Sequence, residues 1–222
     1  PGLAVLLARV AAAHAGLADL LAAAAARPVP GPVVPQTPAT DAGTDTATPA
    51  AAGSAAGTAG ATATGNPSGP AGTASPGTPR PTSTPLPSAA VTALGRLLQG
   101  EHAAAYAYGP ITAWLVPAQR DQARACWQAH LGERDDLTTL LSSGGAPAPA
   151  ASPAYDLGDA PANPAGAVTL ASGVEDRVAT LAAAAVGPAS GPARLAAAGI
   201  LVASVRRSAG WTRTVAALPG GN

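Results

Sequence analysis

Apolar side chains recur at helical spacing in five stretches of this chain, and no stretch alternates apolar with polar over a strand's length. Residues 1–27 place Leu3, Leu6, Val10, Leu17 and Leu20 on one stripe, which predicts an amphipathic helix. Arg27-Pro28-Val29-Pro30 ends it, because proline lacks an amide donor and restricts the residue before it. Such a helix needs a partner: either it packs on later elements, or it closes a region lying upstream. From 28 to about 87 the chain is Pro, Ala, Thr, Gly and Ser, as in Thr58-Ala59-Gly60-Ala61-Thr62. That composition cannot bury enough apolar surface to offset its ordering entropy, so a disordered linker is expected.

Four further stripes follow from Ser88. The first bundle helix is expected over about Ala89–Val116, with Ser88 as N-cap and Leu94, Leu97, Leu98, Glu101, Ala105, Tyr108 and Leu115 facing inward. Pro110 should kink it. Pro117 opens the second, which ends at Ser142-Ser143-Gly144-Gly145 and turns Trp127, His130, Arg134, Leu137 and Leu141 inward. Asn163-Pro164 starts the third, with Leu170, Val174, Val178 and Leu181 on one face; Gly187-Pro188 closes it. Ser190 caps the fourth, whose stripe is Leu195, Ala198, Leu201, Val205 and Thr212, and Pro219-Gly220 stops it. Four such helices joined mostly by short loops predict an all-α, up-and-down four-helix bundle over 88–222, preceded by the linker and the N-terminal helix.

Composition narrows the functional classes. Hydrophobic residues make up 47% of the 222, but Ala supplies most of them, so Leu, Val, Ile, Trp and Tyr must provide the packing. Net charge is zero and every one of the twelve basic residues is Arg. This balance offers no electrostatic footprint for nucleic acid. The lack of Lys, with the Ala, Gly and Pro content, matches the coding bias of a high-GC bacterial genome. Cys126 is the sole cysteine, so no disulfide forms within the chain. Arg9, His14 and Asp19 interrupt the first apolar run, which reads poorly as a signal peptide or membrane span. Because the chain begins at Pro1 and has no Met, a secretion signal or lipid anchor would lie upstream.

The candidate chemistry lies on the inward stripes. Glu101, His130 and Arg134 fall on core-facing positions, and Glu175 sits beside Val174 at the edge of one. Isolated buried charges cost several kcal/mol, so these four should meet in one buried polar cluster, with Arg134 forking onto Glu101 first and Glu175 second. The cluster is read either as a small pocket or as a satisfied network that fixes helix register. Cys126, four residues before His130, can face it on a helix, but no orienting third group is legible, and an inert buried thiol is the simpler reading. No phosphate loop, Cys pair or dinucleotide fingerprint is present.

The run Leu98-Gln99-Gly100-Glu101-His102-Ala103-Ala104-Ala105-Tyr106-Ala107-Tyr108-Gly109 resembles a ferritin-like family of unknown function from secreted or lipid-anchored proteins of high-GC bacteria. His130, Arg134 and Asp135 match its His-x-x-x-Arg-Asp pattern, Val174-Glu175-Asp176 its acidic pair, and Arg206, Arg207 and Trp211 its basic-then-Trp pattern. The resemblance spans about residues 90–220. It implies a ferritin-like bundle in an exported or lipoprotein setting and brings no activity; Pro110 departs from the pattern. A di-iron centre would need one Glu from each of two helices and Glu-x-x-His from each of the others. Here Trp127 stands three before His130, and no His, Asp or Glu lies between Ser190 and Asn222. No metal, cofactor or catalytic residue is therefore expected. The expectation is a non-enzymatic, exported module acting on an unknown protein partner or small ligand at the cell envelope. The alternatives are a ferritin-like metal or redox protein with a degenerate di-iron site, and a small-ligand carrier with a cavity lined by Glu101, His130 and Trp127.

Overall fold

Five helices form where the stripes run, and proline and glycine set their ends. The structure, a computed structural model, describes residues 2–25 and 85–220. The helices are α1 (Gly2–Ala24), α2 (Ser88–Trp114), α3 (Pro117–Ser143), α4 (Pro164–Val186) and α5 (Gly191–Thr212), with no strand among the described residues. Helices α2 to α5 form an all-α bundle, and α1 packs on it. The expected linker lies outside the described residues except at 85–87. There Leu86 donates its amide to the Gly144 carbonyl at 3.3 Å. Its side chain fills the space a Cβ on residue 144 would occupy. The bundle thus begins a few residues before Ser88.

The caps show which local signals prevailed. Asn163 accepts from the Gly166 amide at 2.8 Å through Oδ1, so α4 starts on a side-chain cap followed by Pro164. Ser88 and Ser190 do not cap as expected. Ser88 is already the first residue of α2, after Pro87, and Ser190 makes no capping bond. Helix α2 continues through Pro110. Arg213 adopts φ 60° and its amide bonds the Ala209 carbonyl, closing α5.

Helix α2 packs on α3 and α4, α4 on α5, and α1 on α5 and α4; α3 and α5 scarcely touch. Leu115 and Val116 alone join α2 to α3, a link so short that the two must run antiparallel. Between α4 and α2 the packing is close because α4 turns an alanine face inward: Ala167, Ala171, Ala179, Ala182 and Ala185 are buried. The bulkier Leu170, Val174 and Leu181 of the expected stripe flank that face instead, and only Val178 of the stripe is buried. On α5, Leu195 is 45% exposed and Thr212 is exposed, while Ala193, Ala197 and Ile200 take the inward positions.

The interior has two apolar layers. One holds Leu94, Leu97, Leu98, Leu137, Leu141, Val178, Leu201 and Val205. The other holds Tyr108, Ile111, Leu115, Cys126 and Trp211. Burying each Leu contributes roughly 2 kcal/mol, so the first layer supplies much of the stability. Helices α3, α4 and α5 pass from one layer to the other where they present His130, Glu175 and Arg207, and α2 presents Glu101 about one turn before its own change.

α1 is held to this body by polar contacts at both ends. Arg9 donates to the Leu218 and Pro219 carbonyls at 2.8 Å. Arg206 of α5 forks onto Asp19, with Nη2 to Oδ1 at 2.8 Å. By length and composition alone, α1 is long and apolar enough to cross a membrane. The charges that spoil the sequence pattern are the ones that tie it to the bundle. Its outer row remains bare, with Leu3 68% and Leu21 61% exposed.

Candidate functional site

The sequence contains only three glutamates, Glu101, Glu133 and Glu175, and all three converge where the two apolar layers meet. Glu101 comes from α2, His130 and Glu133 from one face of α3, Glu175 from α4, and Ser204 and Arg207 from α5. Helical spacing explains the grouping: residues three apart, such as 130 and 133 or 204 and 207, are neighbours on a helix surface.

His130 stands at the centre, fully buried, with both ring nitrogens facing carboxylates. Nδ1 is 2.7 Å from Oε2 of Glu101, and Nε2 is 3.1 Å from Oε1 of Glu175. Two acceptors require two N–H donors, so the ring is an imidazolium. Burial pulls its pKa down, but the bonds to Glu101 and Glu175 outweigh burial and hold it up at about 9. Burial likewise opposes ionisation of Glu175, yet His130, Arg207 and Tyr108 hold that carboxyl below its ordinary range. Burial dominates at Glu101 and raises it, against the pull of His130.

Arg207 closes the network. Its Nε donates to Oε2 of Glu175 at 2.8 Å, its Nη1 and Nη2 donate to the two oxygens of Glu133 at 2.9 Å, and Nη2 also reaches Ser204 Oγ at 3.1 Å. This is the bidentate geometry that suits guanidinium and carboxylate. Tyr108 donates to Oε1 of Glu175 at 2.6 Å and accepts from Trp211 Nε1 at 3.2 Å. Burial, with Glu175 beside it, pushes Tyr108 above the ordinary phenol range, so the hydroxyl keeps its proton. One oxygen is left over: Oε1 of Glu101 is buried and has no hydrogen-bond partner.

The structure brings Glu101, His130 and Glu175 together and leaves Arg134 outside. Arg134 is about one-third exposed and pairs with its neighbour Asp135, Nη2 to Oδ1 at 2.7 Å. The expected Arg134–Glu101 pair is therefore corrected: the guanidinium in the core is Arg207, and the partner of Glu101 is His130. The inward positions of α3 are Ala123, Cys126, His130, Leu137 and Leu141, with Glu133 beside them, and Trp127 is 41% exposed. Trp127 accordingly lines no space with Glu101 and His130. Sequence reasoning missed Glu133 as a site residue, and it noted Arg207 only as part of the basic-then-Trp pattern. The available signal was the spacing 126, 130, 133, 137, which is as helical as 127, 130, 134, 137.

Cys126 is 5% exposed, and burial pushes its thiol up to about 11. With both nitrogens of His130 committed to carboxylates, no thiolate–imidazole pair exists. Outside Cys126, an open groove of about 470 Å³ runs between α3 and α5, lined by Gln122, Ala129, Arg206, Arg207 and Gly210 among others. Glu133 and Arg207, 17% and 13% exposed, are the members of the network nearest solvent.

The chain is similar to proteins whose descriptions assign no function. A family described as "Domain of unknown function (DUF4439)" matches residues 93–222. The crystal structure of a conserved hypothetical protein, Rv2844 from Mycobacterium tuberculosis, is similar at 32% identity and a TM-score of 0.55. The match covers 57% of this chain and 96% of that one. No curated protein matches the chain.

Proposed function

The chain belongs to the DUF4439 family, a domain of unknown function, and from that premise we propose that it is a non-enzymatic helical-bundle module at the cell envelope, ferritin-like in descent. Its work would be structural, or the binding of another macromolecule. The observation carrying this reading is the closure of the polar layer. Glu101, His130 and Glu175 are 0% exposed, and their bonds go to one another, to Tyr108 and to Arg207. A catalytic acid, base or nucleophile must come within hydrogen-bond reach of a substrate, and Glu101, His130 and Glu175 are enclosed on every side. A register-fixing role for such a layer is a known use of buried polar groups.

The envelope setting is supported by α1, whose length and composition suit a membrane or an export route. The test is fractionation of the full-length gene product in its native host. Recovery in the membrane or extracellular fraction is the expected result, and recovery in the cytosol alone would overturn the envelope reading.

A further inference from the structure

We propose that the polar layer is a binding site for one first-row divalent metal ion, held by Glu101, His130 and Glu133. Each of these residues offers a ligand atom, and the three atoms lie within 4.8 Å of one another. His130 Nδ1 is 2.7 Å from Glu101 Oε2 and 3.6 Å from Glu133 Oε2. Ligand atoms around a tetrahedral ion with bonds of about 2 Å sit roughly 3 Å apart, so small side-chain movements suffice.

A second observation points to a cation. Oε1 of Glu101 is the one buried side-chain oxygen or nitrogen among the described residues with no partner. An unmet buried acceptor of this kind calls for an explanation, and a bound ion supplies one. Charge agrees. Once the proton on Nδ1 of His130 has left, three carboxylates face a single guanidinium, Arg207, which leaves two negative charges in an enclosed layer. One dication removes that imbalance. It takes the place of the proton on Nδ1, as metal binding to imidazole requires.

The ligand set selects the ion. One imidazole and carboxylates suit zinc, manganese or ferrous iron, and they do not suit calcium, which takes six to eight oxygens. Arg207 limits the site to one ion: its guanidinium occupies Oε2 of Glu175, while each Glu133 oxygen that accepts from it keeps a second lone pair for the ion. Helix α5 supplies no further ligand, having no His, Asp or Glu. Entry is at the edge formed by Glu133 and Arg207, which are partly exposed. The inference goes beyond the structural reading, which stands whether or not an ion binds.

The experiment uses untagged full-length chain stripped with a chelator and titrated with Co²⁺, followed by visible d–d absorption and by Zn²⁺ competition. The expected result is saturation at one Co²⁺ per chain and displacement by Zn²⁺. Glu101→Gln and Glu133→Gln should each weaken binding at least tenfold, while Asp136→Asn should leave it unchanged. Circular dichroism checks that each variant folds, and Glu133→Gln, at the partly exposed edge, changes the packing least. No saturable signal, two ions per chain, or affinity indifferent to both glutamine variants would overturn the proposal.

Discussion

Arg207 of α5 and Glu175 of α4 form an ion pair inside the bundle, Nε to Oε2 at 2.8 Å, with the carboxylate wholly buried. The same guanidinium grips Glu133 of α3, so one side chain ties α5 both to its close neighbour α4 and to α3, which it otherwise scarcely touches. Lysine could not replace it, because a point charge lacks the fork. Arg207→Met should destabilise the fold by on the order of 3 kcal/mol, since it leaves buried carboxylates without a counter-charge. Urea denaturation measures this. A loss below about 1 kcal/mol would mean that solvent already screens the pair.

Arg134 should behave in the opposite way. It is about one-third exposed and its partner is the adjacent Asp135. Arg134→Ala is expected to change stability by no more than about 0.5 kcal/mol, as surface substitutions do. A loss comparable with that of Arg207→Met would restore Arg134 to the core.

The contrast between these two arginines shows what the sequence carries and where it becomes ambiguous. Helix ends were legible because Pro117, Asn163-Pro164 and Gly144-Gly145 leave few conformations open. Rotation about each helix axis was not. On α3, His130 and Leu137 belong to both competing stripes; one adds Trp127 and Arg134, the other Cys126 and Glu133. Side-chain size favours Trp127, yet the core admits Cys126. On α4 the buried face is alanine, so its bulky residues, Val174 and Leu181, mark the flanks, and Glu175 points inward. Arg207 is a further case, for α5 offers no signal that distinguishes it from Arg206, which turns to Asp19 of α1. Long-range pairing of that kind depends on which helix lies alongside, and local periodicity does not encode it.

Cys126 should be unreactive in the folded chain. Burial holds its thiol at about 11, and the side chain is 5% exposed. The thiolate is the reactive species, so alkylation at pH 8 should be many times slower than for unfolded protein. Iodoacetamide labelling followed by mass spectrometry, with and without denaturant, gives the comparison. Equal rates would show an accessible thiol.

The docking of α1 should depend on the Asp19–Arg206 pair. Both side chains are about one-quarter exposed, so the coupling energy is expected near 1 kcal/mol, well below that of the interior network. Asp19→Asn, Arg206→Gln and the double variant form a cycle that isolates it. Amide exchange in α1 is the readout, and it should speed up by a similar factor in either single variant. Unchanged exchange would mean that the apolar contacts alone hold the helix.

Arg9 reaches the 218–219 carbonyls, so the first helix rests on the last residues of the bundle. The stretch from 26 to 84 therefore leaves one body and returns to the same body. In that geometry α1 occupies a seat on the bundle that a separate copy of the same helix could fill. A free peptide of residues 1–25 should compete for the same seat. Two separately expressed pieces, 1–25 and 85–222, would then reassemble as a split protein, with a dissociation constant that reports directly how firmly the seat is held.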